Sequence, residues 1–154
     1  MKVTGIRRNP EECDYADEVL SIDALEGLLP LTDFLVMVLP DSESTRDIVD
    51  ANFLKKMNSS SMLINVGRGS AIVEDDLADA LNNGIIAAAA LDTTKNEPLE
   101  KESKLWSAKN CFITPHDSAH SLMSLPRSFN LFLENVSNLR AVSYTHLRAH
   151  ETHE

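Results

Sequence analysis

The sequence predicts an α/β fold built on a parallel sheet. Short apolar runs alternate with segments of helical periodicity across residues 2–142, and this alternation is typical of βαβ units. The run DFLVMVLP (33–40) is apolar until its proline, as in a strand covered on both faces. The segment VEDDLADALNNG (73–84) begins with acidic residues and ends in glycine, which suits a helix dipole and a helix C-cap.

The boundaries of the elements follow from apolar periodicity and from the turn residues between the runs. A turn at NPEE (9–12), for example, separates the first two strands. The predicted elements are strands at 2–8 and 17–21, a short helix at 22–30, a strand at 33–40, a helix at 50–58, a strand at 61–67, a helix at 73–84, strands at 85–92 and 110–116, and a helix at 121–142.

Four of these assignments depend on particular residues. The helix at 22–30 has an aspartate near its start and ends at Pro30. The helix at 50–58 places Phe53, Leu54 and Met57 on one face. The run IIAAAALD is ambiguous by propensity, but its shortness and its place between a glycine and a polar loop favour a buried strand. Pro126 starts or kinks the last helix.

Composition narrows the class of protein. The chain has 154 residues, 43% of them hydrophobic, which is enough for a domain with a real core. The net charge of −10 disfavours a nucleic-acid or anionic-membrane partner. Two distant cysteines, no apolar run of membrane-spanning length and no apolar signal core indicate a reduced, cytoplasmic setting.

The last stretch, SYTHLRAHETHE (143–154), breaks the pattern of the rest of the chain. It holds three of the five histidines and has no apolar periodicity. Three histidines at irregular spacing in a polar tail rarely form a zinc site. We therefore expect this non-native-looking tail to lie outside the fold.

Three residues that can carry chemistry follow three successive predicted strands. Arg68 lies between two glycines after LINV, Glu97 follows IIAAAALD, and His116 follows CFITP. Because ligands of open α/β sheets sit outside the carboxyl ends of the strands, the three side chains are expected to meet in one crevice. Each has a simpler interpretation alone: a solvated arginine in a tight turn, an exposed acid beside proline, and a loop histidine.

The chemistry of the set fits oxidoreduction of a small acid. An arginine can clamp a substrate carboxylate and polarise the adjacent carbonyl. A histidine can give or take the proton of a hydroxyl group, and a glutamate beside it orients the ring and favours its protonated form. A second histidine, His120, makes an H-x3-H pair that could instead hold a metal; the proline before His116 disfavours that, and we predict no metal site.

The motifs VLPDSEST, LINVGRGSAIVEDDLADAL, AALDTTKNEPL and ITPH, in this order, resemble the D-isomer-specific 2-hydroxyacid dehydrogenases across about residues 2–141. The resemblance implies that Arg68 binds the carboxylate and carbonyl of a 2-oxo acid, that His116 is the acid/base, and that Glu97 raises its pKa. It also implies three groups of cofactor contacts. These are Asp92 on the nicotinamide carboxamide, Leu39 and Pro40 in the adenine-side loop, and Val66 and Gly67 as backbone lining the nicotinamide pocket.

The cofactor is expected to be NADP or NAD, with NADP favoured. In this fold the strand at 2–8 normally ends in an acid that binds the ribose 2′-hydroxyl of NAD. Here it ends in Arg7 and Arg8, which suit a 2′-phosphate. The alternative is a solvated basic strand end.

One family feature is not in this sequence: there is no G-x-G-x-x-G fingerprint. The resemblance therefore implies a partial doubly wound (Rossmann) sheet without its first strand and the helix that follows it. The strands at 2–8 and 33–40 would flank that place, and either pair directly or leave two unpaired edges. Residues 1–118 would form the partial nucleotide-binding domain and residues 119–142 a helix that returns to a substrate domain.

We accordingly expect a piece of a longer, homodimeric enzyme, inactive by itself. The enzyme would transfer a hydride between NAD(P)H and a small 2-oxo or D-2-hydroxy acid. Two other interpretations stay open: a dinucleotide-sensing, corepressor-like interaction protein, or a fragment with no function. The complete Arg68, Glu97 and His116 set argues against the interaction protein, which needs no acid/base.

Overall fold

The computed structural model describes residues 1–140, so the tail predicted at 143–154 and the end of the last predicted helix lie outside the described residues. The predicted α/β fold with parallel strands is confirmed. The strands are β1 (Thr4–Arg7), β2 (Glu18–Ser21), β3 (Phe34–Met37), β4 (Met62–Asn65), β5 (Ala88–Leu91) and β6 (Cys111–Ile113).

The strands form two parallel sheets. β1 pairs with β2, and the second sheet has the order β3-β4-β5-β6. Its register places Leu35 beside Leu63 and Leu63 beside Ala89. Within residues 1–140 no ladder joins β1 to β3. Of the two predicted arrangements at this place, the structure therefore has the one with two unpaired strand edges.

The helices lie where the periodicity predicts them. They are α1 (Leu25–Leu28), α2 (Ala51–Lys56), α3 (Glu74–Asn82) and α4 (Ser124–Arg140). Asp50 caps α2 by accepting the Phe53 N–H at 2.8 Å. Gly84 follows α3 with a φ of 67°, a left-handed conformation that a glycine adopts without steric cost.

The predicted single helix at 22–30 is corrected by the structure. It is a 3₁₀ turn (Ile22–Ala24), the short α1, and a second 3₁₀ turn (Leu29–Leu31). Pro30 does not end the helix as predicted. It lies inside the second turn, because a proline at the first positions of a helical turn removes no needed donor.

The core lies between one face of the four-stranded sheet and the pair α2 and α3. Leu63 and Ala89 of the sheet are fully buried, as are Leu54 of α2 and Leu77 of α3. Leu105, in a 3₁₀ turn at Lys104–Ser107, closes the same cluster. This packing holds the carboxyl ends of β4 and β5 side by side, which is where the candidate site lies.

The prediction that the strand at 33–40 is buried on both faces is wrong for residues 1–140. Leu35 and Met37 pack on the core, whereas Phe34 and Val36 are 59% and 55% exposed. Alternate side chains of a strand point to opposite faces, and within the described residues only one face carries a packed helix layer. An apolar run in the sequence does not indicate which segment of the chain covers each face of the strand.

Among residues 1–140, none of the helices combines the length and the apolar character that crossing a membrane requires. The same residues hold no group of three or more His, Cys, Asp or Glu side chains placed to bind a metal ion.

Candidate active site

A cavity of about 320 Å³ lies at the carboxyl ends of β4 and β5, beside the loop that follows β6. Arg68, Glu97 and His116 all line it, together with Ser70, Thr94 and Lys95. A larger depression, of about 440 Å³, lies among the loops that precede β5 and β6. Its lysine, Lys109, already donates to the Asn82 carbonyl, and no histidine or carboxylate lines it. The smaller cavity is therefore the candidate site.

The two glycines beside Arg68 allow backbone to pack on backbone. A Cβ on Gly67 would lie 2.6 Å from the Leu39 nitrogen, and one on Gly69 would lie 2.0 Å from the Thr94 carbonyl carbon. The turn after β4 is thus wedged between the loops that follow β3 and β5. Only glycine fits at these two contacts. The Arg68 side chain, between the two glycines, lines the cavity.

Asn65, the last residue of β4, fixes the conformation of this turn. Its side chain is buried, donates to the Arg68 carbonyl at 3.0 Å and to the Thr93 hydroxyl at 3.3 Å, and accepts the Gly67 N–H at 3.0 Å. The sequence analysis did not identify this residue. The available signal was a polar residue at the end of an otherwise apolar strand.

Replacing Gly69 by alanine should destabilise the fold by at least about 2 kcal/mol, because the added methyl group meets backbone that cannot move independently of β5. The measurement is urea unfolding followed by circular dichroism. Gly27→Ala is the matched control, since nothing lies within 4 Å of its Cβ position. Gly27 lies in α1, so that change should be neutral or stabilise by about 0.5–1 kcal/mol. Equal unfolding midpoints for the two variants would contradict the wedged turn.

The Arg68 guanidinium donates from Nη1 to the Gly67 carbonyl at 2.9 Å, which orients it near the cavity. Asp41 lies close by and accepts from the Ser70 hydroxyl at 2.9 Å and from Arg46 at 3.2 Å. The Ser70 hydrogen bond, then Arg46 and Arg68, hold the pKa of Asp41 below its usual value. Arg46 rather than Arg68 makes the direct ion pair with this carboxylate.

Glu97 and His116 form a pair, with 2.8 Å between Glu97 Oε2 and His116 Nδ1. The other carboxylate oxygen accepts the Thr94 N–H at 3.2 Å, so the glutamate is held from both ends. The hydrogen bond from His116 is the main cause that lowers the pKa of Glu97. The two side chains are 45% and 40% exposed, for His116 and Glu97, so the pair opens to solvent and to a ligand.

His120 and His116 have different hydrogen-bond partners. The His120 Nδ1 pairs with the Asp117 carboxylate, whereas His116 pairs with Glu97. Each imidazole therefore has its own carboxylate partner in the described part of the chain.

The residues implied to bind a dinucleotide lie at or just after the carboxyl ends of β1, β3, β4 and β5. Gly67 packs against Leu39, which brings the loops of Leu39–Pro40 and Val66–Gly67 together. Asp92 is buried directly after β5 and accepts hydrogen bonds from the loop of His116. Arg7 and Arg8 are exposed at the carboxyl end of β1.

These residues fit part of a dinucleotide. Two exposed guanidinium groups at the end of β1 suit a phosphate, and Val66, partly exposed after β4, offers an apolar surface beside the turn of Arg68. The glycine loop that would hold the pyrophosphate is not in this sequence.

Comparison with known proteins decides the family. Residues 1–118 match the model described as "D-isomer specific 2-hydroxyacid dehydrogenase, NAD binding domain". The chain belongs to the D-isomer-specific 2-hydroxyacid dehydrogenase family. It is 36% identical over 126 residues to the hydroxypyruvate reductase of Blautia hydrogenotrophica, covering 82% of this chain and 37% of the relative.

Solved structures of the D-2-hydroxyacid dehydrogenase family have the same fold. A family protein from Aeromonas salmonicida superposes with a TM-score of 0.82 at 37% identity, covering 92% of this chain and 45% of that one. The NADPH-dependent glyoxylate/hydroxypyruvate reductase of Sinorhizobium meliloti, in complex with NADP and sulfate, gives a TM-score of 0.78 at 31% identity, covering 91% and 45%. The chain thus spans less than half the length of these relatives.

Proposed function

We propose that these residues belong to an NAD(P)-dependent oxidoreductase that reduces small 2-oxo acids to D-2-hydroxy acids. The observation that carries the proposal is the meeting of Arg68, Glu97 and His116 at one cavity, with the carboxylate and the imidazole in hydrogen-bond contact. The names of the relatives, which are hydroxypyruvate and glyoxylate reductases, support the substrate class. A dinucleotide-sensing module would not need this acid/base pair.

The chain's residues would act on the substrate in three ways. Arg68 binds the carboxylate of the 2-oxo acid and polarises its carbonyl. The ionised Glu97 holds His116 through Nδ1 and stabilises the imidazolium, which leaves Nε2 to give a proton to the carbonyl oxygen. The bound reduced nicotinamide supplies the hydride that the carbonyl carbon accepts. In the reverse direction His116 takes the hydroxyl proton back.

The same proposal assigns the remaining cofactor contacts. Asp92 would accept from the nicotinamide carboxamide, Val66 and Gly67 would line the nicotinamide pocket, and Leu39 and Pro40 would lie on the adenine side. NADP is proposed over NAD because Arg7 and Arg8 offer two exposed cations at the end of β1. The Sinorhizobium relative was crystallised with NADP, which agrees with this choice.

The proposed enzyme would work in the cytoplasm, as a homodimer, with residues 119–142 leading to a substrate domain. The support for the last point is α4, which carries exposed apolar side chains, among them Phe129 and Phe132. Such a helix is suited to pack against another domain or another copy. The net charge of −10 agrees with a small-molecule partner rather than nucleic acid.

The experiment that tests the function is a chimera. Residues 1–118 of this chain replace the matching part of the Blautia hydroxypyruvate reductase, and the purified chimera is assayed for oxidation of NADPH and NADH with hydroxypyruvate and glyoxylate. The proposal predicts turnover that depends on the 2-oxo acid. A chimera that is folded and has the same oligomeric state as its parent, but shows no turnover, would contradict it.

Replacing Arg7 and Arg8 together by alanine in this chimera should raise the KM for NADPH at least about tenfold and leave the KM for NADH nearly unchanged. The difference should shrink at high salt, because exposed charges are screened. Replacing Lys55 and Lys56, a basic pair at the end of α2, is the control of equal charge. Equal effects of the arginine change on both cofactors would reject the 2′-phosphate role.

A further inference from the structure

The buried carboxylate of Asp92 is tied to the loop that carries His116. Oδ1 accepts the Thr114 hydroxyl at 2.5 Å and the Asp117 N–H at 2.9 Å, and Oδ2 accepts the Ser118 N–H at 2.9 Å. Asp92 is 6% exposed, so water does not compete strongly for these bonds. One carboxylate thus holds residues on both sides of His116.

The loop needs such a hold because of its backbone. His116 has a φ of 57°, in the left-handed region that residues with a side chain rarely adopt. A conformation of this kind persists only where the surroundings determine it. Thr114 is two residues before His116, and Asp117 and Ser118 are the two residues after it, so the bonds to Asp92 span the strained position.

The bonds also direct the imidazole. Glu97 is fixed separately, by its hydrogen bond from the Thr94 N–H. The His116 ring meets it at 2.8 Å, in a loop whose backbone is left-handed at His116. The neighbouring pair of Asp117 and His120 is exposed and uses the Asp117 side chain, whereas the bond to Asp92 uses the Asp117 backbone.

We propose that Asp92 is a positioning residue for His116, which holds the loop after β6 in the left-handed turn that brings the imidazole to Glu97. Hydrogen bonds from the Ser118 and Thr114 side chains, and from the two backbone N–H groups, keep the pKa of Asp92 well below its usual value. Both oxygens therefore accept at neutral pH. Oδ1 accepts two donors of the loop, and Oδ2 accepts the Ser118 N–H.

The test of the loop uses the whole 154-residue chain and does not depend on catalysis. Hydrogen exchange of the Asp117 and Ser118 amides and the backbone carbon shifts of His116 are measured by NMR in Asp92→Asn and Thr114→Val. We expect exchange at least about tenfold faster at both amides, with loss of the left-handed shift pattern at His116. Thr114→Ser, which keeps the hydroxyl, and Asp117→Asn, which keeps the backbone N–H, should both retain protection.

Unchanged protection and unchanged His116 shifts in Asp92→Asn would overturn the proposal. Thr114→Val keeps it falsifiable if the asparagine variant fails to fold, because Thr114 is exposed and outside the core. The consequence for catalysis rests on the proposed function. In the active chimera, Asp92→Asn should lower kcat at least about tenfold, in addition to any rise in the KM for NADPH from the lost carboxamide contact. A raised KM with normal kcat would mean a cofactor contact only, whereas an inactive parent chimera would count against the function and not against the loop measurement.

Discussion

His116→Ala in the chimera should lower kcat with hydroxypyruvate by about 10²- to 10⁴-fold, the usual contribution of general acid/base catalysis. The alanine removes the group that would protonate the carbonyl oxygen, and it also removes the hydrogen-bond partner of Glu97 Oε2. The KM for the 2-oxo acid should change less, because Arg68 still binds the carboxylate. Steady-state rates at saturating NADPH give both constants.

His120→Ala is the matched control for this change. His120 lies four residues further on, is exposed, and pairs with its own carboxylate on Asp117. Its removal should leave kcat within about twofold, since an exposed ion pair of this kind contributes little. Near-normal turnover of His116→Ala on every 2-oxo acid tried, or an equal loss in His120→Ala, would show that the acid/base is elsewhere.

Arg68→Lys should lower kcat/KM for 2-oxo acids by about 10- to 100-fold, although the charge is kept. A lysine is a point charge and cannot make the two parallel hydrogen bonds that a guanidinium offers to a carboxylate. It also loses the planar fork through which Arg68 donates to the Gly67 carbonyl. The loss should be smaller for simple aldehydes, which have no carboxylate to bind.

Arg46→Lys is the control for the arginine prediction. Arg46 is exposed and pairs with Asp41 at 3.2 Å, near Arg68 but outside the residues that line the cavity. We expect kcat/KM within about twofold of the unchanged chimera, because a surface ion pair tolerates the exchange. If Arg68→Lys left kcat/KM unchanged, the proposed role of Arg68 in binding the substrate carboxylate would be wrong.

Most of the fold could be predicted from the sequence because the residues that indicate each helix and strand lie within or next to that element. The helix at 74–82 has acids in its first turn and a glycine after its end, and the ambiguous alanine-rich run is the strand β5 as predicted. The order of strands and helices then leaves few topologies. The two 3₁₀ turns at Gly69–Ala71 and Lys104–Ser107 carry no comparable periodicity and were not foreseen.

The candidate site could be predicted from the sequence in part. That Arg68, Glu97 and His116 share a cavity follows from their places after successive parallel strands. What the sequence did not indicate is how they are held. Asn65 ends β4 and Asp92 directly follows β5, and only three-dimensional contacts show that their side chains hold the turn of Arg68 and the loop of His116. In the sequence alone, a polar residue at the end of an apolar run can equally be interpreted as the first residue of a loop.

The exposure of one face of β3 could not be predicted from the sequence, for a different reason. The run at 33–40 is equally apolar at alternate positions, so it predicts two covered faces. Whether a face is covered depends on which other segments pack there. Within residues 1–140, α2 and α3 cover the face of Leu35 and Met37, and Phe34 and Val36 stay exposed.

Hydride transfer to a 2-oxo acid at this cavity can be followed with an isotope label. The chimera is given hydroxypyruvate and NADPH that carries deuterium at its transferable position, and the product is analysed by mass spectrometry and chiral chromatography. We expect D-glycerate with one deuterium on the carbon that bears the new hydroxyl, formed far more slowly by His116→Ala. Glycerate without deuterium, the L-isomer, or no product from a folded chimera would contradict the proposed function.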